Sequence, residues 1–302
     1  MPNDDPKRPA PAHAVRGNNP QAEQMGDESM ARNLAFQAQA IWPQEAPLFA
    51  RYALSGALRI VDVGCGTGEI TRRLAGLYPQ AALLGIDILE ENLARARADA
   101  DDGGGRIAYA SGDAFHLALD DGSVDLLVCR HVSQAVPAFG TLLLEFRRVL
   151  APGGRLHLLS EDYGMLHFPS DVRDSDRFWN QVGMPFLAAI GCDGRVGRHT
   201  PMLLADAGFE DVTMDYLTVD TLRVPRATFA GILRSWRDGY VGVLSQSSGL
   251  PEPELAAEFD TMLEAIETPP AYAVWHVPIV AALAPRKTTR PPLSADGAAA
   301  PL

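Results

Sequence analysis

Between residues 58 and 160, short apolar runs alternate with amphipathic stretches, and this alternation restricts the fold more than any other feature of the 302-residue chain. "LRIVDVG" reads as a strand and "EITRRLAGLY", beyond a glycine loop, as a helix. "AALLGID" and "EENLARARADA" repeat the pair. "RIAYASGD" and "VDLLVCR" are further strands, "FGTLLLEFRRVL" is a helix, and "APGG" turns the chain into the strand "RLHLLSED". Strands separated by helices join through right-handed crossovers. The result is an α/β fold with a mostly parallel sheet and helices on both faces.

The flanks are read by composition. Residues 1–24 and 285–302 are polar and proline-rich and are expected to be disordered tails, which leaves 25–284 as one domain with its core at 56–162. In "ESMARNLAFQAQAIW", Met30, Leu34, Ala35, Ala38 and Ile41 recur at helical spacing and predict an amphipathic helix within a cover segment, 25–55. Residues 163–200 and 226–267 are expected as further cover, the latter helical with Phe229, Ile232, Leu233 and Trp236 on one face. "TPMLLADAGF" reads as a helix closed by glycine, "EDVTMDYLTVDTL" as one long or two short strands, and "AYAVWHVPIVAALA" as the last strand. Pro278 argues for an edge position or a bulge there.

A formal net charge of −12 disfavours a nucleic-acid partner, which needs a basic surface. No apolar run reaches membrane-spanning length, and no charged-then-apolar leader is visible. Cys65, Cys129 and Cys192 lack metal-ligand spacing and suggest a reduced, cytoplasmic setting. The two lysines, Lys7 and Lys287, both fall in the expected tails, so no mechanism rests on a core lysine.

In "VDVGCGTGEI", Gly64, Gly66 and Gly68 follow the first apolar run at every second position. A backbone so bare admits close approach of a ligand beyond the carboxyl ends of the strands. The spacing is not the G-x-G-x-x-G of dinucleotide folds, and no lysine is present to complete a P-loop.

"VDVGCGTG" resembles the first motif of the class I S-adenosylmethionine (SAM)-dependent methyltransferases, and three further motifs follow in order. Asp87 ends the second strand about 20 residues on, where nucleotide folds place an acid against ribose hydroxyls. Asp113 in "ASGDAFHL" follows the third strand, where the family meets the adenine amino group, and "RVLAPGGRLHLL" resembles its fifth-strand turn. The resemblance implies a Rossmann-like, seven-stranded sheet, SAM as cofactor, a small-molecule methyl acceptor, no metal, and cover segments on the acceptor side. It implies cofactor contacts from Gly64, Cys65, Gly66 and Gly68, from Asp87 with Ile88, and from Asp113 with Ala114. Asp62 would hold the loop or the methionine ammonium, or serve structure alone. Arg130 or His131 could line the cofactor edge through backbone or side chain. Carboxylates suit ribose hydroxyls and an amino donor, both of which need acceptors.

On the acceptor side, "VCRHVSQAV" departs from the Asn/Asp-Pro-Pro-aromatic motif of nucleobase and glutamine methyltransferases, and His131 is a candidate general base. Glu161, Asp162 and Tyr163 in "SEDYG" could attract an amine, orient a hydroxyl or remove a proton; the alternative is a polar turn. His167 is near enough in sequence to join them. Trp42, Trp179, Trp236 and Trp275 either wall a pocket or pack the core. The expected reaction is in-line transfer of methyl to an O, N or C atom with release of S-adenosylhomocysteine. The acidic balance and Glu161-Asp162 favour an amine. A cyclase or decarboxylase on the same fold, or a silent SAM-binding scaffold, are the alternatives.

Overall fold

A computed structural model of the chain describes residues 19–98, 104–169 and 175–286. Most of the two expected tails, 1–18 and 287–302, lies outside the described residues. The inner end of the first is ordered: helix α1 (Ala22–Gly26) follows Gln21, which is buried and accepts a hydrogen bond from the Tyr240 hydroxyl at 2.9 Å.

Helix α2 (Glu28–Ala50) is capped by Asp27, whose carboxylate accepts from Ser29 N at 2.8 Å. The alternating region then gives β1 (Arg59–Val63), α3 (Glu69–Leu77), β2 (Ala82–Asp87), α4 (Glu90–Ala98), β3 (Ile107–Ser111), β4 (Val124–Arg130), α5 (Phe139–Val149) and β5 (Leu150–Leu159). These five strands are parallel, in the order β3-β2-β1-β4-β5. "APGG" is not a turn ahead of β5 but lies inside it, at the register shift opposite Val124 and Leu126.

Beyond β5 come the two-residue β6 (Leu166–His167), α6 (Ser175–Phe178), a π-helical turn at Trp179–Gly183, α7 (Met184–Ala189), α8 (Val196–Asp206), β7 (Glu210–Asp220), α9 (Arg226–Ser248), α10 (Glu252–Glu267) and β8 (Val274–Leu283). β8 runs antiparallel between β5 and β7, and pairs with β6 past the end of β5. The sheet thus has eight strands rather than seven, the extra one being β6. β7 is one long strand.

β8 is interior, so Pro278 does not mark an edge. Its carbonyl accepts from Ser160 N, and a residue's N and C=O leave a strand on the same side. The missing donor therefore points where pairing with β5 ends, at Leu159↔Ile279, and no bond to β7 is lost.

The two faces of the sheet follow the strand period of two. Val61, Val63, Leu127 and Leu158 pack against Leu142 and Phe146 of α5, while Ile60, Leu126 and Val128 pack against Leu74 of α3 and Phe49 of α2. The same period puts Asp62, Arg130 and His157 on the α2–α3 side. A third cluster joins α2, α9 and α10 around Trp275, Phe229 and Phe259. It roofs the carboxyl ends of the parallel strands. No helix among the described residues is long and apolar enough to cross a membrane.

Candidate active site

The strand order reverses between β1 and β4, the position at which open α/β sheets bind ligands. A cavity of about 1350 Å3, counted out to its mouth, opens there. Its lining runs from the glycine loop, Asp87 and Asp113 on one side to Trp179, Trp236 and Phe259 on the other.

The glycine loop forms one wall. Gly64, Gly66 and Gly68 take φ of +72°, +53° and +76°. A Cβ at Gly64 would stand 2.3 Å from Val132 Cγ2, and one at Gly66 2.5 Å from Leu34 Cδ1. The loop is fastened by Asp87, whose Oδ2 accepts from Gly66 N at 2.8 Å and whose Oδ1 accepts from Leu89 N at 2.9 Å. Burial raises the Asp87 pKa, and the backbone bonds from Leu89 and Gly66 oppose that rise. Asp87, Ile88, Asp113 and Ala114 all line the cavity. Asp113 Oδ1 accepts from Phe115 N at 2.9 Å, which closes a turn around it.

Asp62, Cys65 and Gly68 stand behind this wall and do not line the cavity. The Asp62 carboxylate accepts from Thr71 Oγ1 at 2.6 Å and so ties β1 to α3; burial pushes its pKa up to about 6. Burial, with Asp62 and Asp87 nearby, also pushes the Cys65 thiol up, so it carries no thiolate.

At the end of β4, Arg130 lines the cavity and ion-pairs through Nε with Glu45 Oε1 of α2 at 2.9 Å. Glu45 Oε1 also meets His157 Nε2 at 3.0 Å, and His157 Nδ1 meets the Tyr52 hydroxyl at 2.6 Å. Burial alone would raise the Glu45 pKa, but Arg130 and His157 hold it below the ordinary carboxylate value. Arg130 Nη2 has no partner, nor do Asn33 Oδ1 and Gln37 Oε1, which α2 presents to the same cavity. Buried polar atoms are rarely left unpaired in folded proteins, so three at one end of a cavity mark the place of a polar ligand group.

His131 adopts φ +57°, a left-handed conformation that histidine tolerates better than most residues. Its Nδ1 lies 2.5 Å from Glu161 Oε1, with the two side chains 8% and 1% exposed. His131 Nε2 has no partner, whereas Glu161 is also met by the Tyr163 hydroxyl. Asp162, read together with Glu161 from sequence, is spent elsewhere: its oxygens take Arg198 Nε and Nη2 at 2.5 and 2.9 Å. The acid pair therefore does not face one ligand. Burial first, and Glu161 second, raise the Tyr163 pKa well above the phenolic value. Tyr163 is thus no base near neutrality; its ring lines the cavity, stacked on Trp179 with centroids 5.1 Å apart. His167 is exposed on β6, away from the cavity wall.

Of the four tryptophans, Trp179 and Trp236 line the cavity, Trp275 packs behind Trp236, and Trp42 belongs with Phe49. Asn33 and Gln37 went unread in the sequence, although a signal existed. They occupy the same face of α2 as Met30, Leu34 and Ile41, where polar residues interrupt an apolar stripe. Among the described residues no group of three or more His, Cys, Asp or Glu is placed to hold a metal.

A methyltransferase-domain family model matches residues 61–158. The chain is 36% identical over 138 residues to trans-aconitate 2-methyltransferase of Methylobacterium nodulans, which covers 46% of this chain and 51% of that protein. It is 30% identical over 202 residues to the enzyme of that name from Methylobacterium radiotolerans, covering 66% and 72%. The chain thus spans about half the length of the first of these curated relatives and more of the second. Haemonchus contortus phosphoethanolamine N-methyltransferase 2 in complex with SAM shares the fold, with a TM-score of 0.52 at 17% identity over 81% of this chain and 53% of that one. The chain belongs to the SAM-dependent methyltransferase family, and SAM is its cofactor.

The site fits that cofactor. The positive-φ glycines leave a bare cradle, Asp87 and Asp113 offer acceptors for hydroxyls and an amino group, and Arg130, Asn33 and Gln37 hold unpaired polar atoms suited to a zwitterionic methionine end.

Proposed function

We propose that the chain transfers the methyl group of SAM to a small-molecule acceptor whose nucleophilic atom carries a proton, with His131 as general base. The observation that carries this reading is the pair His131 Nδ1–Glu161 Oε1 at 2.5 Å, with Nε2 left unpartnered on the cavity wall. Glu161 accepts from Nδ1–H, which fixes the tautomer and leaves the Nε2 lone pair for the acceptor's proton; the tautomer is inferred from this geometry. As Nε2 takes that proton, Glu161 stabilises the imidazolium that results. Asp87, Asp113 and the glycine loop hold the adenosine end. Arg130, Asn33 and Gln37 hold the methionine end. The bound SAM supplies a methyl group already activated by its sulfonium, so the remaining task of the protein is alignment and exclusion of water.

The Methylobacterium relatives are named for trans-aconitate, a tricarboxylate. An ionised carboxylate needs no base to act as nucleophile, and three of them call for cations. Arg130 is the one Arg or Lys among the described residues lining this cavity, and it is already paired with Glu45. The site therefore supports a protic nucleophile better than a tricarboxylate.

The test is incubation with methyl-labelled SAM and a panel of hydroxyl- and amine-bearing small molecules, following labelled product and S-adenosylhomocysteine together. The two are expected in equal amounts. His131→Asn, which keeps a residue tolerant of positive φ, should lower kcat by about 10²–10⁴-fold with SAM affinity unchanged, the usual contribution of a positioned base. Product formed without S-adenosylhomocysteine, or transfer undiminished in His131→Asn, would overturn the proposal.

A further inference from the structure

Resting on that reading, we infer that the acceptor is a ring-bearing, largely apolar molecule methylated on a ring hydroxyl, of the phenol or enol type, with a second oxygen bound by Trp179. Beyond the His131–Glu161 pair the cavity is walled by Tyr163, Trp179, Phe186, Trp236, Tyr240 and Phe259. Tyr163 and Trp179 lie parallel, 8° apart, and Trp236 stands nearly perpendicular to both, at 88° and 84° with centroids 5.7 and 5.9 Å away. Such planes favour a flat apolar body, which meets them by stacking and edge contact.

The unpaired polar atoms state what the ligand must carry. His131 Nε2 needs a donor, and the Trp179 Nε1–H, on a side chain 8% exposed, needs an acceptor. A hydroxyl gives its proton to Nε2, and a second oxygen on the same ring system accepts from Trp179. A simple alkylammonium satisfies the first need but, with no oxygen of its own, offers no lone pair for the second. A tricarboxylate satisfies the second but brings three charges to a wall of aromatic rings and one engaged arginine.

The chemistry balances with no further reactant. The hydroxyl proton passes to His131 Nε2, and the freed oxygen pair forms the new bond to the methyl carbon. The carbon–sulfur bond breaks with its electron pair kept by sulfur, so S-adenosylhomocysteine leaves as a neutral thioether.

Calorimetry on the full chain saturated with S-adenosylhomocysteine tests this with five probes: 2-naphthol, 3-hydroxyflavone, its 3-methoxy analogue, trans-aconitate and phenethylamine. The two hydroxyarenes are expected to bind at least tenfold tighter than the tricarboxylate or the amine. The methoxy analogue should lose about threefold or more against its parent, a comparison that needs no protein variant. Trp179→Phe should weaken 3-hydroxyflavone by about threefold or more and 2-naphthol less, with S-adenosylhomocysteine affinity unchanged. Tighter binding of trans-aconitate or phenethylamine, or no hydroxyarene binding while S-adenosylhomocysteine binds normally, would overturn the acceptor class and leave methyl transfer standing. Failure to bind S-adenosylhomocysteine at all would remove the methyl-transfer reading and this one with it.

Discussion

Replacing Asp87 by Asn changes one oxygen to an amide nitrogen with almost no change of shape, and the structure says what that costs. Each Asp87 oxygen accepts from a different backbone donor, Gly66 N at 2.8 Å and Leu89 N at 2.9 Å. Asparagine has one oxygen for the two, so its NH2 must face a backbone N–H, donor against donor. Leaving one such buried donor unpaired costs about 1–3 kcal/mol. Part of this is offset because the carboxylate was itself disfavoured by burial, as its raised pKa shows. Folding should therefore suffer little. Cofactor binding should suffer more, because ribose hydroxyls lose an ionised acceptor worth about 1.5–3 kcal/mol, or roughly 10- to 100-fold in Kd. Calorimetric titration of wild type and Asp87→Asn with SAM and S-adenosylhomocysteine, beside thermal melts, separates the two effects. Kd values within about twofold of wild type for both ligands would refute the role given to Asp87.

Two other perturbations probe the frame of the site. Gly66→Ala would force a Cβ to within 2.5 Å of Leu34 Cδ1 at φ +53°; it should cost about 1–3 kcal/mol in urea unfolding, and adding Leu34→Ala should relieve the contact but not the backbone strain. Unfolding identical to wild type would show that the loop tolerates a side chain. Asp62, pushed up to about 6 by burial, keeps in the folded state a proton that the unfolded chain releases near 3.8. Its contribution is fully present below about pH 4 and is lost as pH rises through about 6, a swing of about 3 kcal/mol. Urea titrations should therefore show wild type losing stability relative to Asp62→Asn between pH 4 and 7, and a constant difference would contradict this.

The parallel half of the sheet was legible because its signals are local: each strand and helix from β1 to β5 carries its own period. The glycine loop, Asp87 and Asp113 were legible for the same reason, lying at strand ends in chain order. What escaped depends on partners remote in sequence. Glu161 and Asp162 are adjacent in an extended segment, so their side chains leave on opposite sides. Nothing in "SED" tells which one meets His131 and which one Arg198. Pro278 looked like an edge residue because a sequence does not say where the neighbouring strand stops. Trp179 and Trp236 could be assigned to wall or core only once the π-helical turn was placed against α9, and α9 against α2.

Helix α2 lies outside residues 61–158, the portion that matches the family model, yet it supplies Leu34 against Gly66, Asn33 and Gln37 at the cavity, and Glu45 beneath Arg130. A chain trimmed to the matched portion would keep the glycine loop and the cavity-lining Asp87 and Asp113 while losing one side of the cleft. The counterion of Arg130 would go with it. For protein engineering, a transplantable unit therefore has to include α2 together with Gln21 and Met25 before it, which also line the cavity, and grafting the recognisable motifs alone would move a signature without the cleft around it.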